Sequence, residues 1–324
     1  MHILAIAGGV GGAKLALGLS RLLAPGDLTV VVNTGDDETF HGLHVSPDLD
    51  SVTYALAGMT NPETGWGIRG DTFRTLEALE RLGAETWFRL GDLDLATHVR
   101  RTELLRAGRS LSEATRELTA HLGIAHTVAP MSDDPVRTVA LTEEGELAFQ
   151  EYFVKRRCEP RITGVRFDGA ESARPSPAFA EALASADAIV LCPSNPVVSI
   201  GPVLAVPGVR DAIERFGGPR IAVSPIVGGR ALGGPAAKMM AELGEEVSCV
   251  GIARRYAPIC DALVIDTVDA AEAPAIETLG MRAVVTPTVM ETDADKDALA
   301  REVLAVVEGW NAAPERAARE ARRG

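Results

Sequence analysis

Paired cysteines are missing from this chain. Its four cysteines, Cys158, Cys192, Cys249 and Cys260, contain no Cys-x-x-Cys. That argues against a disulfide framework and for free thiols in a reducing compartment. No His/Cys/Asp set has zinc spacing, and no Gly-x-Ser-x-Gly elbow supports acyl transfer by a serine. No apolar run approaches the roughly 18 residues of a membrane span. The short apolar start lacks a preceding basic segment, so it reads as a core strand of a cytoplasmic protein and not as a signal peptide. Aromatics are sparse at 4%, and excess positive charge is absent: 32 Lys and Arg stand against 45 Asp and Glu, for a net charge of −13. A nucleic-acid or anionic-membrane partner needs a basic surface, so neither is expected. A nucleotide held by local groups is still compatible, and an acidic protein binding an anion often needs a metal ion.

What is present begins at residue 2. The run His2-Ile3-Leu4-Ala5-Ile6-Ala7 falls into Gly8-Gly9-Val10-Gly11-Gly12-Ala13-Lys14, followed by Leu15, Leu19, Leu22 and Leu23 on one side of a helix. This reads as strand, glycine loop, helix 12–23. Bare backbone N–H groups and the positive helix end suit an anion, and Lys14 adds a charge. The spacing is too short for a P-loop, and no Ser or Thr follows Lys14. The dinucleotide fingerprint fits loosely, because Asn33 stands where an acid should close the second strand.

Composition, with 46% hydrophobic residues, and the alternation of strands and helices give an α/β class. The expectation is a Rossmann-like, doubly wound, mostly parallel sheet with an inserted smaller α+β subdomain. The core takes 1–94 and 176–310, the insertion 95–175, and a frayed tail 311–324. Strands are predicted at 2–7, 28–33, 86–88, 136–141, 147–154, 161–167, 188–192, 220–224, 247–251, 262–266 and 282–286. Helices are predicted from Ser46 as cap with Pro47 in the first turn, at 71–82 capped by Asp71, and at 95–106, 112–122, 175–185, 207–215, 235–243, 270–279 and 293–309.

Ligands of open parallel sheets bind beyond the carboxyl ends of the strands. Four loops should meet there: Gly8–Gly12, Asn33–Asp37, Pro193–Gly201 and Pro225–Gly234. Ser194, Asn195 and Ser199 can donate to oxygens, and Arg230 can pair with a phosphate. Asp36, Asp37, Asp48 and Asp50 lie in two loops beside that edge. Two acidic pairs suit a hard cation or supply a general base, although an aspartate at a helix start is commonly a cap. Asp133 and Asp134 either reach over the site or form a turn. His98 reads as a structural histidine, because nothing nearby in sequence completes a metal site.

Taken together, Gly8–Lys14, Asn33–Asp37, Ser46–Asp50, Leu90–His98, Cys192–Pro202 and Ser224–Gly229 resemble the 2-phospho-L-lactate transferase / phosphoenolpyruvate transferase family of coenzyme F-420 biosynthesis, in order over about residues 1–290. Members of that family usually carry Arg between the two acids of the Gly-Asp-x-Asp run; here it is Leu93. The resemblance implies transfer of a phospho-lactyl or phosphoenolpyruvyl group from a guanosine diphosphate-linked donor to the ribityl hydroxyl of the deazaflavin Fo. GMP is released, and Mg²⁺ is required. It implies Asp50, Asp37 and Arg89 as catalytic residues, with Asp37 and Asp50 on the metal. Gly11, Gly12, Lys14, Asp48, Asp92, Asp133, Asp134, Ser194, Asn195, Gly228, Gly229 and Arg230 are implied for substrate and nucleotide, and a homodimer is the usual state. Asp50→Ala is then expected to reduce transfer far more than folding.

The alternative is a non-catalytic regulator of the related morphogenesis and gluconeogenesis-factor group, binding nucleotide sugars. Ser46–Asp50 and Leu90–His98 favour the transferase. Asn33 argues against an NAD-dependent oxidoreductase.

Overall fold

The computed structural model describes residues 1–312. In chain order its elements begin with β1 (Ile3–Ala7), α1 (Gly9–Leu22), β2 (Leu28–Val32), the hairpin β3 (Glu38–Phe40) and β4 (Leu43–Val45), α2 (Pro47–Leu56), α3 (Arg74–Arg81), α4 (Asp92–Arg106), α5 (Leu111–His121) and β5 (Thr127–Pro130). There follow β6 (Arg137–Thr142), β7 (Gly145–Ala148), β8 (Ile162–Asp168), α6 (Pro177–Ser185), β9 (Ala188–Leu191), α7 (Ile200–Ala205), α8 (Val209–Arg215) and β10 (Arg220–Val223). The last are β11 (Ile226–Val227), β12 (Arg230–Ala231), α9 (Ala236–Glu242), α10 (Cys249–Tyr256), β13 (Ala262–Ile265), α11 (Ala273–Thr278), β14 (Arg282–Val285) and α12 (Asp293–Ala312). From residue 313 onward, the tail expected at 311–324 lies outside the described residues.

Seven strands form one parallel sheet in the order β14-β13-β10-β9-β1-β2-β5. The period-two alternation of side chains explains why β1 is apolar throughout. Leu4 and Ile6 face a core shared with Phe179, Ile213, Ile252 and Ile276. Ile3, Ala5 and Ala7 face the opposite core, with Leu15, Leu19, Leu49, Val303 and Val307. The expected doubly wound fold is therefore present. After β5 the chain returns to place β9 on the other side of β1. That reversal is the switch point at which such sheets open a crevice. Within 95–175, β5 joins the edge of the main sheet, and β7-β6-β8 make a separate three-stranded antiparallel sheet.

Three predicted strands differ. Residues 86–88 are irregular: they contribute rings instead, with Phe88 stacked on Phe40 at 4.2 Å and Trp87 edge-on to it at 5.2 Å. The segment 247–251 starts a helix, because the Ser248 hydroxyl accepts from Gly251 N at 3.0 Å and caps α10. The predicted strand 147–154 stops at Ala148, and Glu151–Lys155 form one π-helical turn. The cap expected from Asp71 is exchanged. Asp71 accepts from Leu93 N at 2.8 Å and Asp94 N at 3.0 Å, at the start of α4. Asp92 accepts from Thr75 N at 2.9 Å and Arg74 N at 3.2 Å, at the start of α3. All four cysteines are free and buried. Among the described residues, no helix is long and apolar enough to cross a membrane.

Candidate active site

The site is assembled where β1, β2 and β9 end. Gly8 N donates to Ser194 Oγ at 3.0 Å. A Cβ at Gly8 would lie 2.5 Å from Asp48 Oδ2, one at Gly11 2.3 Å from the Pro193 carbonyl oxygen, and one at Gly12 2.5 Å from Ser194 Oγ. The glycines thus let the loop after β9 press onto the first turns of α1. Gly9 has a φ of +62°, which favours glycine, and its N–H bonds the Asp48 carboxylate. The chain's own acid therefore caps the helix start that the sequence offered to an anion. Gly11→Ala should lower stability by about 1–3 kcal/mol through overpacking against backbone. An unchanged urea midpoint would contradict this packing.

β2 delivers Asn33, which is fully buried. Its Nδ2 points at Asp48 Oδ2 (2.9 Å), Asp36 Oδ1 (3.2 Å) and the Val198 carbonyl (3.3 Å), while its Oδ1 accepts from Gly35 N at 2.8 Å. An acid here would add a third carboxylate, whereas an amide donates to both. That is the physical reason for asparagine at this strand end. Gln150, from the segment after β7, donates from Nε2 to the Asp36 carbonyl at 3.1 Å and to Asp36 Oδ2 at 3.3 Å.

These acids are poorly neutralised. Burial, then the charges of Asp48 and Asp37, hold the Asp36 carboxyl well above its ordinary range. Burial pushes Asp48 up to about 6, against opposing hydrogen bonds from Asn33, Gly9 and Ser199. Burial also raises Asp37, although His44 Nε2 (2.9 Å) and Ser46 Oγ (2.7 Å) contact its Oδ2. Asp37 Oδ1 is buried with no partner. That free oxygen is one ligand atom of the kind a hard divalent cation takes.

Asp50 lies two residues after Asp48 in the first turn of α2 and is satisfied differently. The Arg101 guanidinium grips both its oxygens, Nη1 to Oδ2 at 3.0 Å and Nη2 to Oδ1. Both side chains are buried. His98 Nδ1 lies 3.6 Å from Asp50 Oδ2, and its Nε2 lies 3.1 Å from Asp94 Oδ2. Tyr54 donates to Asp94 Oδ1 at 2.7 Å. Asp50, Asp94 and His98 offer ligand atoms all within 4.8 Å of one another. His98 therefore has two acidic neighbours, Asp94 one turn earlier on α4 and Asp50 from α2 across the helix pair, the second of which is distant in sequence. Sequence reasoning missed Arg101. Its signal was the spacing of Asp94, His98 and Arg101 at i, i+4 and i+7, one face of a helix.

The other implied residues are dispersed. Lys14 turns to the Met290 carbonyl at 2.7 Å. Asp92 caps α3. Asp133 accepts from Ser112 N at 2.6 Å, at the start of α5, and Asp134 accepts from Arg174 N at 2.9 Å. Asn195 Oδ1 accepts from Val197 N at 2.9 Å, closing its own turn. Asp269 holds Gly228 N at 3.0 Å, while Gly229 and Arg230 are exposed at the tip of β11–β12. Arg89 is exposed over the Phe73 ring at 4.1 Å. A cleft of about 290 Å³ opens between Asp36–Glu38 and the three-stranded sheet, lined also by Arg137, Phe149 and Arg166. It shares Glu38 and Ala148 with a second cleft of about 320 Å³ that reaches Phe40 and Trp87.

An open parallel sheet whose switch point carries a glycine turn and buried acids defines a doubly wound α/β protein. The family described as 2-phospho-L-lactate transferase CofD matches residues 3–308, and the chain belongs to that family. It is 45% identical over 315 residues to a phosphoenolpyruvate transferase from Streptomyces griseus, covering 95% of this chain and 99% of that one. It is 43% identical over 312 residues to a 2-phospho-L-lactate transferase from Methanopyrus kandleri, covering 95% and 98%. The fold is similar to the crystal structure of a UPF0052-family protein from Bacillus halodurans, with a TM-score of 0.61, 16% identity, and 94% and 98% of the two chains covered.

Proposed function

We propose that this chain transfers a phospho-lactyl or phosphoenolpyruvyl group from a guanosine diphosphate-linked donor to the ribityl hydroxyl of the deazaflavin Fo, in coenzyme F-420 biosynthesis. Family membership over nearly the whole chain carries the reading, and the relatives' names supply both candidate acid groups. The acceptor oxygen attacks the phosphorus that bears the acid group, the phosphorus–oxygen bond to GMP breaks, and the hydroxyl proton passes to a carboxylate. Such transfer is dominated by alignment and charge neutralisation.

The residues divide that work. Asp50, fixed on Arg101, orients the acceptor hydroxyl. Asp37, through its free Oδ1, would be a ligand of Mg²⁺; bound there, the ion would neutralise charge on the diphosphate. A carboxylate of the cluster that is not on the ion would take the hydroxyl proton. The exposed Arg230 guanidinium beside Gly228–Gly229 is placed on a loop that follows a strand end, and it would meet the donor's phosphates. Arg89, over Phe73, would contact the acceptor.

The test is incubation with Fo, Mg²⁺ and each guanosine diphosphate-linked donor, with GMP and product mass followed together. Product from one donor establishes the reaction and the acid group. No product from any donor, with calorimetric binding of a UDP-sugar, would move the chain to the nucleotide-sugar-binding regulators.

A further inference from the structure

We propose that Arg101 is a positioning residue of the transfer reaction, acting through Asp50. The inference rests on the reading above, in which Asp50 meets the acceptor alcohol.

The geometry is specific. Asp50 is in the first turn of α2, and Arg101 is near the far end of α4. The two helices are joined at this level by a buried polar network: Asp50 and Tyr54 from α2, and Asp94, His98 and Arg101 from α4. Arg101 is 2% exposed and His98 1%. Arg101 Nη1 also lies 3.4 Å from His98 Nδ1. The fork therefore holds the carboxylate from one side while the histidine flanks the same Oδ2.

An ionised carboxylate has about four acceptor sites. The guanidinium fork takes one on each oxygen and fixes the plane of the group, a task its planar two-armed shape performs and a single ammonium does not. The remaining sites are held in one orientation before any ligand arrives. An alcohol bonded there is fixed in direction, which is how a positioned acceptor lowers the entropy of an in-line attack.

Arg101→Lys keeps the charge and removes the fork. Arg101→Met combined with Asp50→Asn removes both charges and is the control for folding. The measurements are melting temperature, and kcat and KM for acceptor and donor, on protein purified in the folded state. In Arg101→Lys, kcat should fall roughly 10- to 100-fold, with donor KM within about twofold and a melting temperature near that of the natural protein. Arg101→Lys with kcat within twofold of the natural protein would overturn the proposal, because charge alone would then suffice. Equal losses in kcat and in folded fraction would overturn it as well, since they describe a merely structural ion pair. An inactive natural protein would overturn the transferase reading and this proposal together, which separates that failure from the first two.

Discussion

Asp50→Ala is expected to lose transfer and stability together. The carboxylate is the partner of a guanidinium that is itself buried. Removing it leaves that charge without compensation, and breaking a buried pair from one side costs roughly 3–5 kcal/mol. The melting transition should therefore fall by several degrees, and turnover per folded molecule should fall at least about 100-fold, as expected for loss of a group aligning the reacting oxygen. Sequence alone suggested a loss of activity with little loss of folding. Arg101 changes that expectation. Asp50→Ala combined with Arg101→Met should regain much of the stability and none of the activity. Calorimetry and GMP release on the same samples separate the two effects. Near-natural turnover in folded Asp50→Ala would refute the role of Asp50, and an unchanged melting point would refute the buried pair.

The apoprotein should behave unusually toward acid. Asp48 is pushed up to about 6 by burial, whereas a carboxyl in an unfolded chain titrates near about 3.9. The folded state thus binds this proton more tightly than the unfolded state. The group's contribution is fully present below about pH 4 and is lost as the pH rises through about 6. A shift of this size corresponds to roughly 3 kcal/mol. Asp36 moves in the same direction through burial and the charges of Asp48 and Asp37. Compared with Asp48→Asn, the natural protein should gain stability between pH 7 and 5. Parallel pH profiles of melting temperature for the two proteins would contradict the assignment. Mg²⁺ at neutral pH should have a similar stabilising effect in the natural protein and a smaller one in Asp37→Asn, because a cation relieves the same repulsion as a proton.

The parts of this molecule legible in sequence are those with short-range causes. Ile3–Ala7, Leu28–Val32 and Ala188–Leu191 are continuous apolar runs, and only a strand covered on both faces accommodates them. The acids of 36–50 were legible as a cluster because they lie close in the chain and next to strand ends. Legibility failed where a partner comes from elsewhere. Arg101 goes unmarked in a reading of the sequence, since its partner is 51 positions away. Asp71 and Asp92 looked like a cap and a ligand, because reciprocal capping of α3 and α4 needs both loops in view. Val247–Gly251 carries strand-forming residues, yet Ser248 and the packing of Ile252, Ala253 and Tyr256 make it helical. The glycine loop was legible as a tight turn. Its occupants, Pro193, Ser194 and Asp48, were not.

The strand order also governs the order of folding. β1 pairs on one side with β2, Ile3 against Leu28, and on the other with β9, Ile3 against Ala188. One face of that central pair belongs to a core built by α1 and by α12, where Ala300 and Val303 are fully buried. During synthesis at about 5–20 residues per second, the first strand waits on the order of ten seconds or more for its second neighbour, and longer for the helix that seals it. Non-local closure of this kind slows folding and leaves apolar strand edges open meanwhile. The centre of the sheet, where the candidate site lies, therefore stays open on one side until β9 has been made.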